Sequence, residues 1–204
     1  MKSPFLVGKA IYLRPVCEED ATDRYVAWLS DPEVTRYLGW RAFPSTKHEI
    51  LEYLRQQRSG ESLFLAIVVK ATDLHIGNIH LGPIDWVNRR AELAMLLGEK
   101  SAWGKGYMTE AFELVIHHAF SALNLHKLKA GTEAENLAAI RVFQKTGWIE
   151  EGRLRQETFR AGTYQDLVLF GRFNQAADTS PRQQGQRRRV RRLPVRAGSV
   201  KAAR

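Results

Sequence analysis

The sequence predicts an α+β fold built on a mixed, largely antiparallel central sheet, with helices on both faces. Strand-length apolar runs first cluster without intervening helices, between residues 62 and 98. After residue 106, helical apolar spacing alternates with strand-like runs, and connections of that kind join parallel neighbours. A length of 204 residues with 44% hydrophobic residues is enough for one well-buried core.

The amino-terminal part is predicted to contain one strand and two helices. Residues 9–16 have strand character, and residues 18–29 carry helical apolar spacing that ends at the Asp-Pro pair of residues 31–32. Residues 45–49 have the composition of a helix start, and an apolar stripe formed by Ile50, Leu51 and Leu54 follows.

The remaining elements follow from turn residues and apolar periodicity. An antiparallel meander is predicted at residues 62–70, 75–83 and 90–98. It is followed by a helix at 106–123, a strand at 126–132, a helix at 137–146, and closing strands at 148–152 and 166–173.

Positive charge is concentrated at the carboxyl terminus. The formal net charge is +9, but residues 174–204 hold nine Lys and Arg against one Asp, which leaves 22 basic and 21 acidic residues in 1–173. The change to polar residues, with an Arg-rich block at 187–192, predicts a disordered tail at 174–204 after one folded domain at 1–173. The tail either contacts nucleic acid or the ribosome weakly or is a solvated extension.

Composition argues against membrane, disulfide-bonded and metal-dependent classes. No apolar run approaches the roughly 18 residues that span a bilayer, and no signal peptide is evident, so we expect a cytoplasmic protein without membrane contact. The single cysteine, Cys17, allows no internal disulfide, and its acidic neighbours make it a poor nucleophile. His117 and His118 have no ligand partners at metal-binding spacing, so no metal is expected.

The most informative segment is a strand followed by a glycine turn and a helix. The strand at 90–98 leads into the run Trp103-Gly104-Lys105-Gly106-Tyr107-Met108. Glycines allow positive φ and close approach of a ligand, and the free N–H groups of a first helical turn carry partial positive charge. Such a turn suits a pyrophosphate. The lysine pattern of a P-loop and the third glycine of a dinucleotide fingerprint are missing.

This turn resembles the acyl-coenzyme A signature of the GNAT acetyltransferases, Gln/Arg-x-x-Gly-x-Gly/Ala. Gly106 matches the central glycine, whereas Trp103 and Met108 depart from the first and last positions. The Trp-Gly-Lys-Gly-Tyr opening followed by Thr109-Glu110-Ala111 is similar to the RimJ/RimL-type branch. Residues 136–148 also resemble the family pattern Asn-x-x-Ser/Ala-x-Arg-x-x-x-Lys-x-Gly-Phe/Trp, and the resemblance extends over residues 9–173.

The resemblance implies transfer of acetyl from acetyl-CoA, as co-substrate, to a primary amine by direct attack in a ternary complex. It also implies that two parallel strands splay apart and that the pantetheine arm fills the gap. The cofactor-binding residues that it implies are Met95, Leu96, Leu97, Trp103, Gly104, Lys105, Gly106, Tyr107, Met108, Thr109, Asn136 and Phe143.

Catalytic roles are implied at Glu92 and Asn136. Glu92 lies where other superfamily members place a glutamate that acts as a base through water; alternatively, it is an exposed carboxylate paired with Arg89 or Arg90. Asn136 resembles the residue that touches the pantetheine or the departing sulfur, and it is also a candidate helix N-cap. Phe143 replaces a tyrosine that protonates the thiolate in many relatives, so any general acid must be another group.

The sequence leaves the acceptor open between a protein amino terminus and a small-molecule amine such as an amino sugar. His80, Asp85 and Trp86 either line its pocket or are packing residues, and Glu151 and Glu157 are weaker candidates for the base. A different class of function is a nucleic-acid- or ribosome-associated binding protein that uses the fold as an acetyl-CoA sensor. The expected assembly is a monomer or a homodimer.

Overall fold

The computed structural model describes residues 3–38, 46–56 and 61–175; the tail predicted at 174–204 lies outside them from residue 176 onward. In chain order the elements are β1 (Leu6–Val7), β2 (Ile11–Pro15), α1 (Asp23–Ser30), α2 (Lys47–Gln56), β3 (Leu63–Val69), β4 (Leu74–Asp85), β5 (Arg90–Leu97), α3 (Tyr107–Ser121), β6 (Lys127–Glu133), α4 (Leu137–Lys145), β7 (Ile149–Arg160) and β8 (Thr163–Phe173). Short 3-10 turns occupy Glu18–Asp20 and Lys100–Ala102.

The eight strands form one sheet in the order β1-β2-β3-β4-β5-β6-β8-β7. All pairs are antiparallel except β5 with β6, which are parallel. α3 connects these two strands, as a parallel crossover requires. The α+β class and the mixed, largely antiparallel sheet are therefore confirmed.

Two apolar clusters cover the two faces of the sheet. β3 divides its side chains between them because successive residues of a strand point to opposite faces. Leu65 and Ile67 join one cluster with Phe112 of α3 and Phe143 of α4, whereas Phe64 and Ala66 join the other with Trp28 of α1 and Leu54 of α2. Helices therefore flank both faces, as predicted.

α3 is the best-packed helix on its face. Its buried residues recur at the three- and four-residue spacing of a helical stripe: Met108, Ala111, Phe112, Val115, Ile116 and Ala119. Each lies in the larger apolar cluster. None of the helices in the described ranges combines the length and the apolar character that crossing a membrane requires.

Four elements differ from the prediction. The helix expected at 18–29 is a 3-10 turn followed by α1, because Thr22 caps α1 by accepting a hydrogen bond from the Tyr25 N–H. The short strand β1 was not predicted. β7 and β8 extend well beyond the predicted 148–152 and 166–173 and form a long hairpin. Most of β7 is exposed, so burial left no apolar pattern in that part of the sequence.

Candidate active site

A fork in the sheet lies between β5 and β6. The two strands pair only at their amino-terminal ends, where Arg90, Ala91 and Glu92 face Lys127, Leu128 and Lys129. β5 continues to Leu97 along β4, and β6 continues to Glu133 along β8. No strand pairing joins β5 to β6 beyond Glu92 in the described residues. Their facing backbone edges are therefore available to an extended ligand, and the splay of this parallel pair is observed directly.

The glycine turn follows β5 at the open end of the fork. Gly104 and Gly106 have φ values of +73° and +81°, which strain any residue with a Cβ atom. A Cβ placed at either position meets no protein atom within 4 Å, so both glycines face open space. The protein itself does not crowd the turn, and this space suits a ligand that approaches the backbone closely.

The amino terminus of α3 points out of this turn. Gly106 is its N-cap and offers no side chain to the first helical N–H groups. Uncapped N–H groups and the helix dipole favour a bound anion, and the exposed Lys105 adds a positive charge beside them.

Trp103 fastens the turn to the sheet. Its indole Nε1 donates a hydrogen bond to the Leu97 carbonyl oxygen at 2.9 Å. Leu97 is the last residue of β5, so this contact fixes the start of the turn relative to the fork. Trp103, which stands where the acyl-CoA signature has Gln or Arg, thus helps to position the turn.

The sequence model of the acetyltransferase (GNAT) domain matches residues 10–149, which is more than half of the chain and includes both the fork and the turn. The chain belongs to the GNAT acetyltransferase family. The predicted enzyme class, an acetyl-CoA-dependent N-acetyltransferase, is thereby confirmed at the level of the family.

Similar proteins agree with this assignment. An uncharacterized N-acetyltransferase of Bacillus licheniformis is 33% identical, with 81% of this chain and 93% of the relative covered. The spermidine N(1)-acetyltransferase of Escherichia coli is 32% identical, with coverage of 78% and 83%. A solved structure of RimL, a ribosomal alpha-N-protein acetyltransferase in complex with coenzyme A, has a TM-score of 0.75 at 16% identity, with coverage of 84% and 98%. That likeness shows the GNAT fold.

The predicted cofactor residues of this GNAT chain differ in the exposure of their side chains. Met108 is only 7% exposed and packs in the core, and Tyr107 packs against the same cluster. At Met108 the group that can face a cofactor is therefore the backbone N–H. Met95, Leu96 and Leu97 are partly exposed along the open edge of β5, and Thr109 is half-buried in the first turn of α3.

Glu110, beside this turn, has a structural partner. Its Oε1 accepts hydrogen bonds from the backbone N–H groups of Lys9 and Ala10, the latter at 3.0 Å. The carboxylate therefore ties α3 to the turn between β1 and β2.

Asn136 is the N-cap of α4. Its Oδ1 accepts a hydrogen bond from the Ala139 N–H at 3.2 Å, and its Nδ2 donates to the Thr132 hydroxyl at 2.9 Å. The capping alternative is thus observed. The same contacts fix Asn136 at the carboxyl end of β6, on the other side of the fork from the glycine turn.

Phe143 lies in the core. It is 2% exposed and its ring stacks on Phe170 with a centroid distance of 4.7 Å, while Phe112 and Trp148 pack against it. This burial lends no support to the predicted contact with the cofactor, which stays a prediction. The position offers no proton donor in any case, because phenylalanine has no hydroxyl.

One face of the fork carries the candidate base. Ala91 and Leu93 pack in the cluster of α3 and α4, so Glu92 between them points to the opposite face, which we call the acceptor face. Glu92 is exposed at the vertex of the fork. The described residues contain no hydrogen bond or ion pair to it, and its predicted alternative pairing with Arg89 or Arg90 is not seen: Arg89 bonds Asn124 and Arg90 bonds Asp85.

His80 lies close to Glu92 on the same face. It faces Ala94 across the β4–β5 ladder, and its ring packs edge-on against Phe64 at 5.6 Å. Burial lowers the pKa of His80, against the opposing influence of the Glu92 carboxylate. The His80 Nε2 is buried and has no hydrogen-bond partner in the described residues.

The other sequence candidates lie elsewhere. Asp85 accepts hydrogen bonds from Asn88 and Arg90 in the β4–β5 turn, and Trp86 is 54% exposed in that same turn, at the closed end of the fork. Glu151 forms an ion pair with Lys127, and Glu157 is exposed on β7. Across the described ranges, His, Cys, Asp and Glu side chains form no group of three that could hold a metal ion.

Proposed function

We propose that this GNAT enzyme transfers acetyl from acetyl-CoA to a primary amine by direct attack in a ternary complex, with Glu92 as general base. The observation that carries the proposal is the arrangement of three features around one opening: the open fork, the glycine turn with its uncapped helix, and an exposed carboxylate at the vertex. Together they offer a place for the thioester, for its phosphates and for a proton acceptor.

Donor binding is assigned to backbone groups. The first N–H groups of α3 and the Gly104–Gly106 turn would receive the pyrophosphate, with Lys105 adding charge. The open β5 edge at residues 95–97 would pair with the amides of the pantetheine arm as a further strand does. A backbone N–H on this edge would also stabilise the oxyanion that develops during attack.

The acceptor approaches from the opposite face of the fork. Its amine has a pKa of about 10, so a proton must be removed before the nitrogen can attack. Glu92 accepts that proton, directly or through water. The new C–N bond forms as the C–S bond breaks, and the thiolate, with an ordinary pKa of about 8.5, leaves without a protein acid.

The acceptor class is the finer part of the proposal. One relative is a spermidine acetyltransferase, and one similar solved structure is an alpha-N-protein acetyltransferase. A polyamine, a protein amino terminus and another small amine are therefore all candidate acceptors. We place the chain in the RimJ/RimL-like branch because of its Trp-Gly-Lys-Gly-Tyr opening.

The test is release of free thiol from acetyl-CoA with a panel of amines. The panel contains peptides with free amino termini, amino sugars, aminoglycosides and polyamines. We expect amine-dependent thiol release with at least one class and a mass increase of one acetyl group on the acceptor. A protein that neither binds acetyl-CoA in calorimetry nor releases thiol with any amine would refute the proposal.

A further inference from the structure

A partly buried ion-pair cluster lies at the carboxyl end of β6. Arg160, the last residue of β7, donates from Nε to the Glu133 carboxylate at 2.7 Å and from Nη2 to the Glu135 carboxylate at 2.6 Å. The Arg160 and Glu133 side chains are only 10% and 11% exposed. The guanidinium also lies over the Tyr37 ring, 5.1 Å from its centroid, and the Tyr37 hydroxyl donates to the Glu135 carbonyl at 3.2 Å. Arg160 thus joins three separate parts of the chain.

The cluster lies on the acceptor face beside the open end of the fork. Leu128 and Ala130 of β6 pack in the core with α3 and α4, so the alternate residues 129, 131 and 133 point to the other face. Glu92 faces Lys129 across the parallel pair and points to that same side. Glu133 therefore shares a face with Glu92 and lies four residues further along β6, past the point where the strands separate.

Arg160 offsets one of the three negative charges on this part of the acceptor face. Glu133 and Glu135 are both bonded to it, and Lys129 adds a second positive charge opposite Glu92. Glu92 alone among these three carboxylates has no bonded partner in the described part of the chain. The undescribed stretches between residues 38 and 61 contain no Asp or Glu in their sequence, so they supply no further carboxylate.

This charge pattern fits an acceptor with one ammonium group. A polyamine carries two or more ammonium groups at neutral pH, because their pKa values lie near about 10, and each needs a carboxylate or water when it enters a partly buried site. One unpaired carboxylate at the vertex can accept the reacting ammonium group. A second one would meet carboxylates that each already accept a hydrogen bond from the Arg160 guanidinium. The three carboxylates and the two cations, Arg160 and Lys129, together leave a net charge of −1, which a single ammonium group balances.

We propose that Arg160 is a specificity-determining residue: by offsetting one of the two negative charges of Glu133 and Glu135 and bonding an oxygen of each, it makes the site favour acceptors with a single ammonium group over polyamines. The inference rests on the proposed function and deepens it. It also separates this chain from its spermidine-acetylating relative, whose identity to it is 32%.

The experiment compares two acceptors at saturating acetyl-CoA: spermidine, and the best single-ammonium acceptor of the amine panel. In the unmodified protein, kcat/KM for the single-ammonium acceptor exceeds that for spermidine by about tenfold or more, a difference of ~1.4 kcal/mol in transition-state stabilisation. Arg160→Met raises kcat/KM for spermidine by about tenfold, through a lower KM, and leaves the KM for acetyl-CoA unchanged. High salt weakens the part of that gain that comes from Glu135, since its side chain is 53% exposed.

Two further variants control for loss of stability and for nonspecific effects of replacing an arginine on β7. Arg160→Met leaves Glu133 buried without a partner, which is strongly destabilising. The double variant Arg160→Met with Glu133→Gln avoids that penalty and still frees the half-exposed Glu135, so it is expected to shift the acceptor ratio in the same direction. Arg153→Met is the matched control, because Arg153 lies on the same strand and its two carboxylate contacts are long, at 3.6 and 3.9 Å. It is expected to leave the ratio unchanged.

The experiment distinguishes failure of the role proposed for Arg160 from failure of the proposed acetyltransferase function. A damaged fold lowers activity with both acceptors, whereas a gain with spermidine cannot come from damage. Preference of the unmodified protein for spermidine, or a ratio that moves by less than about threefold in a folded Arg160 variant, overturns the role of Arg160 while acetyl transfer itself stands. Absence of any acetyl transfer refutes the proposed function instead.

Discussion

Glu92 and Lys129 form the last register pair of the parallel β5–β6 ladder. Beyond them the two strands separate, each still held by its outer neighbour, β4 or β8. The carboxylate of Glu92 thus stands at the vertex of the fork, and the glycine turn lies at the open end of the same strand. A thioester in the gap would lie between a proton acceptor and a phosphate-binding turn.

Gly106 is expected to be required for acetyl-CoA binding. Gly106→Ala places a Cβ in the open space of the turn, at a φ of +81°, and we expect acetyl-CoA affinity measured by calorimetry to fall by about tenfold or more. Gly162→Ala is a matched control, because Gly162 has a φ of +82° and an equally open Cβ position in the β7–β8 turn. Both variants lose ~1–2 kcal/mol of stability. Equal affinities in the two variants would contradict the assignment of the turn.

Glu92 is expected to act in turnover and not in donor binding. Glu92→Gln keeps the side chain's shape but removes the base, so kcat with the best acceptor falls by about 10²–10⁴-fold while the Kd for acetyl-CoA stays unchanged. Glu113→Gln, at an exposed position on α3, serves as the control. A fully active Glu92→Gln enzyme would transfer the role of base to another group.

The hydrogen bond from Trp103 to the Leu97 carbonyl is expected to hold the turn in its binding geometry. Trp103→Phe keeps an aromatic ring but loses the N–H donor, which costs ~1 kcal/mol and weakens acetyl-CoA binding by about fivefold. Trp86→Phe changes an exposed tryptophan at the closed end of the fork and leaves binding unaltered. If both variants bind acetyl-CoA like the unmodified protein, the contact has no part in the site.

Asp20 is expected to govern acid stability. Burial alone raises the pKa of Asp20, but hydrogen bonds from Arg14 and from the Cys17 N–H, with the nearby His75, outweigh it and lower the pKa from 3.8 to about 2. The carboxylate therefore contributes its full ~2 kcal/mol above pH 4, and this is lost as the pH falls from 4 towards 2.

Urea unfolding between pH 2 and pH 5 measures this loss. Asp20→Asn is less stable than the unmodified protein at pH 5, and its free energy of unfolding changes less between pH 4 and pH 2. Asp23→Asn, at a side chain that is 97% exposed, follows the unmodified protein. Parallel curves for the unmodified protein and Asp20→Asn would show that another group controls acid stability.

The basic tail is expected to be dispensable for acetyl transfer. The truncation point is best placed after Gln175, since the Asn174 side chain donates to the Phe120 and Leu125 carbonyls and its backbone N–H donates to the His126 carbonyl. We expect unchanged kcat/KM for the truncated protein. Any RNA binding of the full chain falls with rising salt and disappears on truncation, because the tail carries most of the net charge. Loss of acetyl transfer on truncation would place the tail in the enzyme's function.

The sequence alone was sufficient for the elements that have strong periodicity. The stripe of α3, the buried run of β3 and the glycine turn are local patterns, and each predicts its structure because burial or backbone conformation restricts the residues at those positions. β7 was predicted too short for the same reason: its exposed residues are under no such restriction.

The parts of the candidate site that are formed by the backbone could be predicted from the sequence. The parts formed by side chains that are far apart in the sequence could not. The turn at Gly104 and Gly106 and the N-cap at Asn136 have local signatures in the sequence. The cluster of Tyr37, Glu133, Glu135 and Arg160 has none, because its members come from three segments and charged residues are common at exposed positions. Only the pairing of β7 with β8 and of β8 with β6 brings Arg160 to the end of β6.

By itself, then, the sequence determined the fold class, the acetyltransferase family and the position of the glycine turn, since all three depend on residue types at fixed short spacing. The tertiary structure decided where the parallel pair opens, that Phe143 lies in the core, and that Arg160 bonds two carboxylates beside the fork. The physical reason is that register and ion pairing depend on which strands become neighbours. Spacing along the chain leaves that choice open.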